Sequence, residues 1–408
     1  MITVQEAHQI IAATVQRLGA TVSVPLHQLR GRVLAEEVRA GFPMPRFTNA
    51  AMDGFAVRFD EIAGTSDSAP VTLPVSQELA AGALAVAPLA AGTCVRIMTG
   101  APVPDGADTV VPFEQTSGFE RETVEFYKAP KQGANIRHAG EEVKAGELLV
   151  APGTRITPAE IGLLATFGQA SAMVALQPKI SIITVGDELR LPGEKAEPLA
   201  IYNSNLAMLA ACLEAAGAQI VEMRQLRDDR EAIREALASA IDESDMVITA
   251  GGISTGQYDF MHETLDELGV KQKFWKVAQK PGKPFYFGST AAGTLCFALP
   301  GNPISALVCL LEYALPALAL MQGATPAPKF TALLDEPFPA DRKRHRFLFG
   351  KTRIENGVLR CRVSQQTDSH MLTALSEADC LIEAESSPEP VPAGSVVTCA
   401  WLPWANAF

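Results

Sequence analysis

Four short segments of the chain combine glycine, proline and carboxylate residues in a way that suits phosphate binding. They are residues 186–188 (GDE), 228–229 (DD), 251–256 (GGISTG) and 300–305 (PGNPIS). Residues without a Cβ let backbone N–H groups approach phosphate oxygens, and Ser254 and Thr255 add hydroxyl donors. A helix beginning at Pro303 would offer its free N–H groups and its dipole to an anion. The glycine and proline segments are explained equally well as tight or capped turns, so neither is specific alone.

Charged residues near these segments supply cations and oxygen ligands. Three lysines lie in residues 275–284 (WKVAQKPGKP), namely Lys276, Lys280 and Lys283. Loop lysines are ordinarily solvated, but three beside a predicted phosphate loop in an acidic chain favour anion binding. The nearby carboxylates are Asp187, Glu188, Asp228 and Asp259. Such groups can hold Mg²⁺ while substrate phosphates complete its shell, although Asp228 and Asp229 also fit the role of helix N-caps.

The spacing of apolar residues predicts that these segments share one edge of a sheet. From residue 179 the chain alternates strand-like runs (KISIITV, QIVEMRQL, DMVITA, TLCFAL) with helical patterns over 204–216, 229–241, 258–268 and 303–321. This alternation is typical of a doubly wound, mostly parallel sheet with helices on both faces. Ligands of such a sheet bind outside the carboxyl ends of its strands, which is where the four segments fall.

The predicted fold class is multidomain α/β, with three regions around this central one. Residues 1–45 and 146–177 form domain I, whose helical patterns over 2–40 and 146–168 are expected to pack together, with Thr157 as an N-cap. Residues 46–145 form a β-rich domain II, residues 178–325 the α/β domain III, and residues 326–408 a C-terminal β domain IV.

Composition narrows the functional class. A formal net charge of -12 argues against general attraction to nucleic acid or anionic membranes. The N-terminus does not resemble a signal peptide, and the most apolar stretch, 306–321, is too short to span a bilayer and contains Glu312 and Pro316, so a buried helix is expected. Seven cysteines without CxxC spacing favour a reducing, cytoplasmic location, and six scattered histidines argue against a zinc site.

Eight motifs occur along the chain in the order typical of one enzyme family. They are AMDGFAV, RIMTGAPVP, NIRHAGEE, VGDEL, RDD, AGGISTGQYD, KPGKP and LPGNPISA. Through them nearly the whole chain resembles the molybdopterin molybdenumtransferase (MoeA) family and the E domain of gephyrin. The resemblance implies a four-domain subunit with a molybdopterin-binding type of domain III, in an elongated homodimer whose cleft is completed by domain II of the partner subunit. It also implies insertion of molybdate into adenylylated molybdopterin, with release of AMP, formation of molybdenum cofactor and a requirement for Mg²⁺.

Carried over motif by motif, the resemblance assigns roles to residues of this chain. Those implied to act in the reaction are Asp53, Thr99, Glu188, Asp228, Asp259, Lys276 and Lys280. Those implied to bind substrate are Arg137, Glu142, Gly251, Gly252, Ser254, Gly256, Pro281, Lys283, Pro300, Gly301, Asn302, Pro303, Ser305, Arg344 and Ser369. The implied metal ligands are Asp187, Glu188, Asp228 and Asp259. The chain departs from the family pattern at Ala50, usually serine, at Glu142, usually aspartate, and at Phe349, where arginine is common.

Two alternatives stay open at this point. A molybdopterin adenylyltransferase resembles only domain III, so the AMDG and MTGAP motifs favour the molybdenumtransferase. A gephyrin-like scaffold would not need the acidic and basic loop residues, and the chain shows no long disordered linker. The expected partners are adenylylated molybdopterin, molybdate, a second copy of the chain and, transiently, molybdopterin adenylyltransferase and molybdoenzyme chaperones. Nucleic acid and membranes are not expected partners.

Overall fold

The structure is a computed structural model that describes residues 1–83, 85–252, 261–364 and 371–405. Contacts between residues divide the chain into two units. The first contains Met1–Glu36, Pro152–Gly162 and Gln169–Phe408, and the second contains Glu37–Ala151 and Leu163–Gly168. The boundaries of the four domains stay a prediction.

The N-terminal segment forms one helix and then a strand. Helix α1 (Val4–Thr14) begins with a capping box, in which the Thr3 hydroxyl accepts from the Glu6 N–H and the Glu6 carboxylate accepts from the Thr3 N–H. Strand β1 (Thr21–Pro25) follows it. The helical pattern predicted over 2–40 is therefore wrong beyond α1, because Gly19 interrupts it and β-branched residues alternate after that point.

The second unit is built from short strands. They are β2 (Val38–Arg39), β3 (Asn49–Ala50), β4 (Gly54–Val57), β5 (Val71–Leu79), β6 (Cys94–Ile97), β7 (Thr109–Pro112), β8 (Thr123–Phe126), β9 (Ile136–Arg137) and β10 (Leu148–Val150). A short helix, α2 (Phe59–Ile62), follows β4. Five strands form a sheet in the order β7-β4-β6-β5-β8, while β2 pairs with β10 and β3 with β9. The β-rich character predicted for this region is thus observed.

Helix α3 (Pro158–Thr166) and strand β11 (Ser171–Ala175) come next. The Thr157 hydroxyl accepts from the Ala159 N–H at 3.2 Å, and the Glu160 carboxylate accepts from the Thr157 N–H at 2.8 Å, as the N-cap prediction requires. Strand β11 pairs antiparallel with β1 over five residues. The contact with the N-terminal segment is thus a pair of strands, whereas the sequence predicts that the two helical segments pack together.

Strands and helices alternate through the α/β part of the first unit. Its strands are β12 (Lys179–Val185), β13 (Leu189–Arg190), β14 (Ile201–Tyr202), β15 (Gln219–Leu226), β16 (Met246–Ala250), β17 (Lys271–Trp275), β18 (Gln279–Lys280), β19 (Tyr286–Ser289) and β20 (Leu295–Leu299). Its helices are α4 (Ser204–Ala215), α5 (Arg230–Glu243), α6 (Met261–Glu267), α7 (Pro303–Cys309) and α8 (Leu315–Met321). These confirm the helices predicted over 204–216, 229–241 and 303–321, whereas part of the one predicted over 258–268 lies outside the described residues.

Six of these strands form the central sheet, in the order β15-β12-β16-β20-β19-β17. The first four are parallel, as the alternating pattern predicts, and β19 and β17 are antiparallel additions. One buried cluster packs α4, α7 and α8 against one face, and a second packs α5 and α6 against the other. The carboxyl ends of the four parallel strands therefore meet at one edge.

A long apolar helix lies within this core. Helix α7, a π-helical turn (Leu310–Ala314) and α8 run continuously over Pro303–Met321, and 72% of the most apolar stretch is buried inside the protein. At the π-helical turn Glu312 is 4% exposed and pairs with Lys329 at 2.9 Å. The helix has 19 residues and is long and apolar enough to cross a membrane by length and composition alone, so the expectation that the stretch is too short is wrong. Its burial confirms the prediction of a core helix.

The C-terminal strands close into a barrel. They are β21 (Phe330–Leu334), β22 (His345–Glu355), β23 (Val358–Val363), β24 (Cys380–Ala384) and β25 (Val396–Trp401). They follow one another in the order β22-β23-β21-β25-β24, and pairing of β24 with β22 completes the ring. Strand β18 adds to β22, with Lys280 opposite Arg346. The lysine-containing loop of the α/β part is thus anchored to the barrel.

Candidate functional site

A cavity of about 430 Å³ opens at the carboxyl edge of the parallel strands. Its wall contains the predicted site residues Glu188, Asp228, Gly251, Gly252, Pro300, Gly301, Asn302 and Pro303. The first residues of α4 and Pro284 also line the cavity. The loops after β12, β15, β16 and β20 therefore meet in one place, as a parallel sheet requires, and their roles in binding stay predictions.

Carboxylates stand at the β12 and β15 end of this edge. The Asp187 N–H donates to Asp228 Oδ2 at 3.2 Å, and the Asp228 N–H donates to Asp187 Oδ1 at 3.3 Å. The Glu188 carboxylate lies over Gly186, where an added Cβ would be 2.7 Å from Oε2. This mutual bracing fixes two acidic loops beside each other and leaves the Glu188 carboxylate exposed at the cavity.

The N-cap interpretation applies to Asp229 and not to Asp228. Asp229 caps α5, and its Oδ1 accepts from the Ala232 N–H at 2.8 Å. Within the described residues, no three histidine, cysteine or acidic side chains converge on one metal position. Asp259 lies outside those residues. The described part thus offers Glu188 and Asp228 as oxygen ligands on the cavity wall.

The glycine loop after β16 is packed tightly against β12. Gly251 has a φ of +96°, and a Cβ on it would lie 2.3 Å from the carbonyl oxygen of Val185. Its N–H donates to the Leu299 carbonyl at 3.2 Å, so this group is already used within the fold. Gly251 therefore permits a close approach of strands, and it is not the free N–H donor that the phosphate-loop interpretation assumes. Ser254 and Gly256 lie outside the described residues.

The proline-containing turn after β20 approaches the glycine loop. A Cβ on Gly301 would be 3.6 Å from the Gly251 Cα. Asn302 is the N-cap of α7, with its carbonyl accepting from the Ala306 N–H at 2.9 Å. Ser305 is buried in α7 at 5% exposure and is not part of the cavity wall. The turn thus supplies wall backbone and a helix start, while Ser305 packs behind them.

The predicted lysines take different positions on the 275–284 segment. Lys276 has a φ of +70°, and its Nζ lies 3.7 Å from the centre of the Trp275 ring, a cation–π contact. Lys283 is exposed, and its carbonyl accepts from the Val277 N–H at 3.1 Å. Pro281 follows a cis peptide bond. The segment continues to Pro284 on the cavity wall, so these cations lie on a loop that leads into it.

Lys280 and Arg344 converge on an aspartate that sequence reasoning missed. Asp341 Oδ2 is 2.9 Å from Arg344 Nη2 and 4.0 Å from Lys280 Nζ. The hydrogen bond from Arg344 lowers the pKa of Asp341 to about 2. Two cations around one carboxylate leave net positive charge, which suits an oxyanion. Arg344 follows Asp341 by three residues in the sequence, and this spacing was a signal from which the pair could have been predicted.

Of the other residues predicted in the C-terminal region, Ser369 lies outside the described residues, and Phe349 is 4% exposed in the core.

The second unit holds a separate group of predicted residues. Asp53 Oδ1 accepts from the Thr99 N–H at 2.6 Å and from the Thr99 hydroxyl at 2.7 Å. The backbone hydrogen bond first, and the hydroxyl second, hold the pKa of Asp53 below its ordinary value. Gly54 is required beside them, because a Cβ there would lie 2.0 Å from the Val111 carbonyl oxygen. Two motifs 46 residues apart thus form one exposed acidic contact.

Arg137 lies next to the same segment. It pairs with Asn49 in the β3–β9 register, and Asn49 also bridges to Pro102. The AMDG segment consequently runs between the MTGAP and NIRH motifs. Glu142 is exposed on the following turn, where its N–H donates to the Met44 carbonyl at 3.0 Å. Ala50, a departure from the family pattern, is fully buried.

The chain is similar along its whole length to proteins of molybdopterin biosynthesis. Residues 2–168 match the MoeA N-terminal region (domain I and II), residues 181–320 a probable molybdopterin binding domain, and residues 331–402 the MoeA C-terminal region (domain IV). The molybdopterin molybdenumtransferase of Haemophilus influenzae is 33% identical over 98% of both chains. Molybdopterin molybdenumtransferase 2 of Mycobacterium tuberculosis is 38% identical over 79% of this chain and 80% of that one. The crystal structure of a molybdopterin biosynthesis moeA protein from Pyrococcus horikoshii matches with a TM-score of 0.86 at 28% identity, covering 98% of this chain and 100% of that one.

Proposed function

This chain belongs to the molybdopterin molybdenumtransferase family, and we propose that it inserts molybdenum into molybdopterin during the synthesis of molybdenum cofactor. The substrate in this proposal is adenylylated molybdopterin, and AMP is the leaving product. The observation that carries the proposal is the cavity at the sheet edge, where Glu188 and Asp228 face the loops of Gly251 and Gly301.

The proposed reaction needs no nucleophile from the protein. Water adds across the phosphoanhydride bond, which releases AMP and leaves molybdopterin with its own phosphate. Molybdenum forms bonds to the two dithiolene sulfurs and gives up one oxo ligand of molybdate, which takes up two protons and leaves as water. The protein contributes by holding the reactants together and by placing fixed charges where negative charge develops. The Gly251 and Gly301 loops approach each other so closely that a Cβ added to Gly301 would be 3.6 Å from the Gly251 Cα, and this proximity supports the positioning role.

The proposal includes Mg²⁺ as a metal ion that the protein itself binds. Its preferred ligands are oxygens, and it is usually held by one or two carboxylates together with substrate phosphates and water. Glu188 and Asp228 on the cavity wall fit that donor set, and Asp187 exchanges two backbone-to-carboxylate hydrogen bonds with Asp228. Bound Mg²⁺ would neutralise charge on the phosphates of the substrate.

The Lys280–Asp341–Arg344 group is proposed to hold the oxyanion. Arg344 is fixed by Asp341 at 2.9 Å, whereas the Lys280 ammonium stands 4.0 Å away with its side chain 46% exposed. A fixed guanidinium beside a movable ammonium can accept molybdate without first breaking a tight ion pair. Lys276 and Lys283 lie on the same loop and add to the positive field.

We also propose that the active form is a cytoplasmic homodimer in which the Asp53–Thr99–Arg137 surface serves the cavity of the partner subunit. These three side chains are exposed, and Asp53 is kept anionic by Thr99. The seven cysteines are all free and buried, which agrees with a reducing compartment.

Adjacent aspartates give a matched test of the cavity. Asp228→Asn removes a charge from the wall but keeps an oxygen for the Asp187 N–H, whereas Asp229→Asn keeps a good N-cap on α5. We expect Asp228→Asn to slow molybdate-dependent cofactor formation by about tenfold or more, and Asp229→Asn to leave it unchanged. Equal rates in the two variants, both at the wild-type level, would show that Asp228 does not serve the reaction.

A further inference from the structure

We propose that Asn205 binds the substrate, its side-chain oxygen accepting a hydrogen bond from an N–H group at the edge of a nitrogen heterocycle. The inference concerns the same cavity and rests on the proposed function for the choice of ring, which is the pterin or the adenine of adenylylated molybdopterin. The sequence motifs assign Asn205 no role.

The orientation of the Asn205 amide is fixed by a single contact. Asn205 is the second residue of α4, is 9% exposed and lies in the cavity wall. Its Nδ2 donates to the Gly301 carbonyl oxygen at 2.7 Å. Because a carbonyl only accepts, turning the amide over would place two oxygens against each other. The Oδ1 atom therefore points away from this contact. It is buried and has no hydrogen-bond partner in the part of the chain that the structure describes.

The neighbouring Asn203 shows how an asparagine is used here when its role is structural. It caps α4, with Oδ1 accepting from the Leu206 N–H at 3.1 Å. Its Nδ2 donates to Thr184 Oγ1 at 2.7 Å and to Gln225 Oε1 at 2.8 Å. Helix formation does not require a second asparagine at 205, where the helix propensity of this residue is low. Asn205 therefore leaves its buried amide oxygen without a hydrogen bond, which destabilises a fold unless a ligand supplies the donor.

The strand order places Asn205 away from the acidic end of the cavity. Asp228 follows β15, whereas Gly301, the partner of Asn205, follows β20, and β12 and β16 lie between those strands. With about 4.8 Å between neighbouring strands, three steps separate the two ends by about 14 Å.

The chemistry of Oδ1 selects the class of ligand at this end. An amide oxygen accepts hydrogen bonds and repels phosphate and molybdate oxygens, so it cannot form an anion site. It suits a neutral group that carries N–H donors, such as the amino group of a pterin or adenine ring. The cavity thus combines an acidic end for metal and phosphate with a neutral acceptor for a ring.

Binding measurements with paired ligands test this assignment directly. The probes are 6-hydroxymethylpterin and its 2-desamino analogue, and AMP and its 6-desamino analogue, titrated calorimetrically into the full-length protein. The wild-type protein should prefer the amino form of one pair by about three- to tenfold, the range of one ordinary hydrogen bond. Preference within the pterin pair assigns Oδ1 to the pterin, and preference within the AMP pair assigns it to adenine.

Two variants separate the role of the Oδ1 acceptor from that of the Nδ2 donor, which bonds the Gly301 carbonyl. Asn205→Leu replaces the amide by an apolar side chain of similar size, so the variant should bind the amino and desamino forms equally well. Asn205→Asp keeps an acceptor but loses the donor to Gly301, so it should retain a preference for the amino form even if its melting temperature falls. Gln322→Glu, the matched control, loses an amide donor to the Gly217 carbonyl away from the cavity wall and should leave the preference unchanged.

The inference is overturned if the wild-type protein shows no preference in either pair, or if Asn205→Leu keeps the wild-type preference. If Asn205→Leu does not fold, the wild-type and Asn205→Asp preferences still decide it, and loss of preference in Asn205→Asp counts against it. A wild-type protein that discriminates within a pair but never inserts molybdenum would contradict the proposed function and leave the role of Asn205 in place.

Discussion

Replacing Gly251 by alanine should damage the cavity through a clash that the structure locates. The new Cβ would lie 2.3 Å from the Val185 carbonyl oxygen, at a backbone φ of +96°. A non-glycine residue at positive φ costs about 1–2 kcal/mol, and overpacking of a closed site costs about 1–3 kcal/mol more. We therefore expect Gly251→Ala to lose about 2–5 kcal/mol of unfolding free energy. Relief of the clash requires the glycine loop to move away from β12, which displaces a wall of the cavity.

Two glycines of the chain serve as matched controls. Gly269 has a φ of +79°, and no described residue comes within 4 Å of a Cβ built on it, so Gly269→Ala measures the backbone cost alone. At Gly301 the φ is not positive, and among the described residues the added Cβ would meet the Gly251 Cα alone, at 3.6 Å, so Gly301→Ala adds a methyl group beside the same cavity without strain. Urea unfolding gives the stability of each variant, and calorimetric titration with adenylylated molybdopterin gives the affinity.

The expected order distinguishes clash from strain. Gly251→Ala should lose more stability than Gly269→Ala and should bind the substrate more weakly than either control. If Gly251→Ala instead matched Gly269→Ala in stability and the wild-type protein in affinity, the close contact between the glycine loop and β12 would not be what shapes the cavity.

Three further predictions follow from contacts elsewhere in the structure. Thr99→Val removes the hydroxyl bond to Asp53 but not the backbone bond, so NMR titration should show the pKa of Asp53 rising part of the way to its ordinary value. Lys329→Met leaves the buried Glu312 and Glu383 without their shared ammonium partner and should cost about 3 kcal/mol in chemical unfolding, a loss that adding Glu312→Gln should reverse in part. The pKa of Asp341 is held at about 2, against an ordinary value of 3.8, so its carboxylate stabilises the fold above about pH 4 and stops doing so as the pH falls through 2. The stability difference between wild-type protein and Asp341→Asn should therefore shrink between about pH 4 and pH 2, and a difference that stays constant would contradict the ion pair.

The parallel part of the central sheet could be predicted because its pattern is repeated and strong. Strands β12, β16 and β20 are apolar runs, and β15 (QIVEMRQL) mixes apolar with polar residues. Each is followed by a turn and a helical period, and parallel pairing follows from that alternation. The same reasoning brings Glu188, Asp228 and Gly251 to one edge, since the carboxyl ends of parallel strands coincide. Here local sequence and tertiary structure agree.

Other features depend on contacts that no local pattern records. Strand β17 (KQKFW) is short and begins with three consecutive polar residues, so it resembles part of the lysine loop until β19 pairs with it. Asp341 meets Lys280 only because β18 adds to the barrel strand β22. Asn205 looks like an ordinary helix residue in the sequence, and its unpaired oxygen becomes visible only when the Gly301 carbonyl is found against its amide nitrogen. Each case requires the positions of two segments far apart in the chain.

The central claim is tested most directly by incubating the purified protein with adenylylated molybdopterin, Mg²⁺ and molybdate, and following AMP release together with reconstitution of an apo-molybdoenzyme. The proposed function predicts that AMP release requires both molybdate and Mg²⁺, and that it runs in step with the appearance of reconstituted enzyme activity. AMP release at the same rate without molybdate, with no reconstitution, would identify simple hydrolysis and contradict molybdenum insertion.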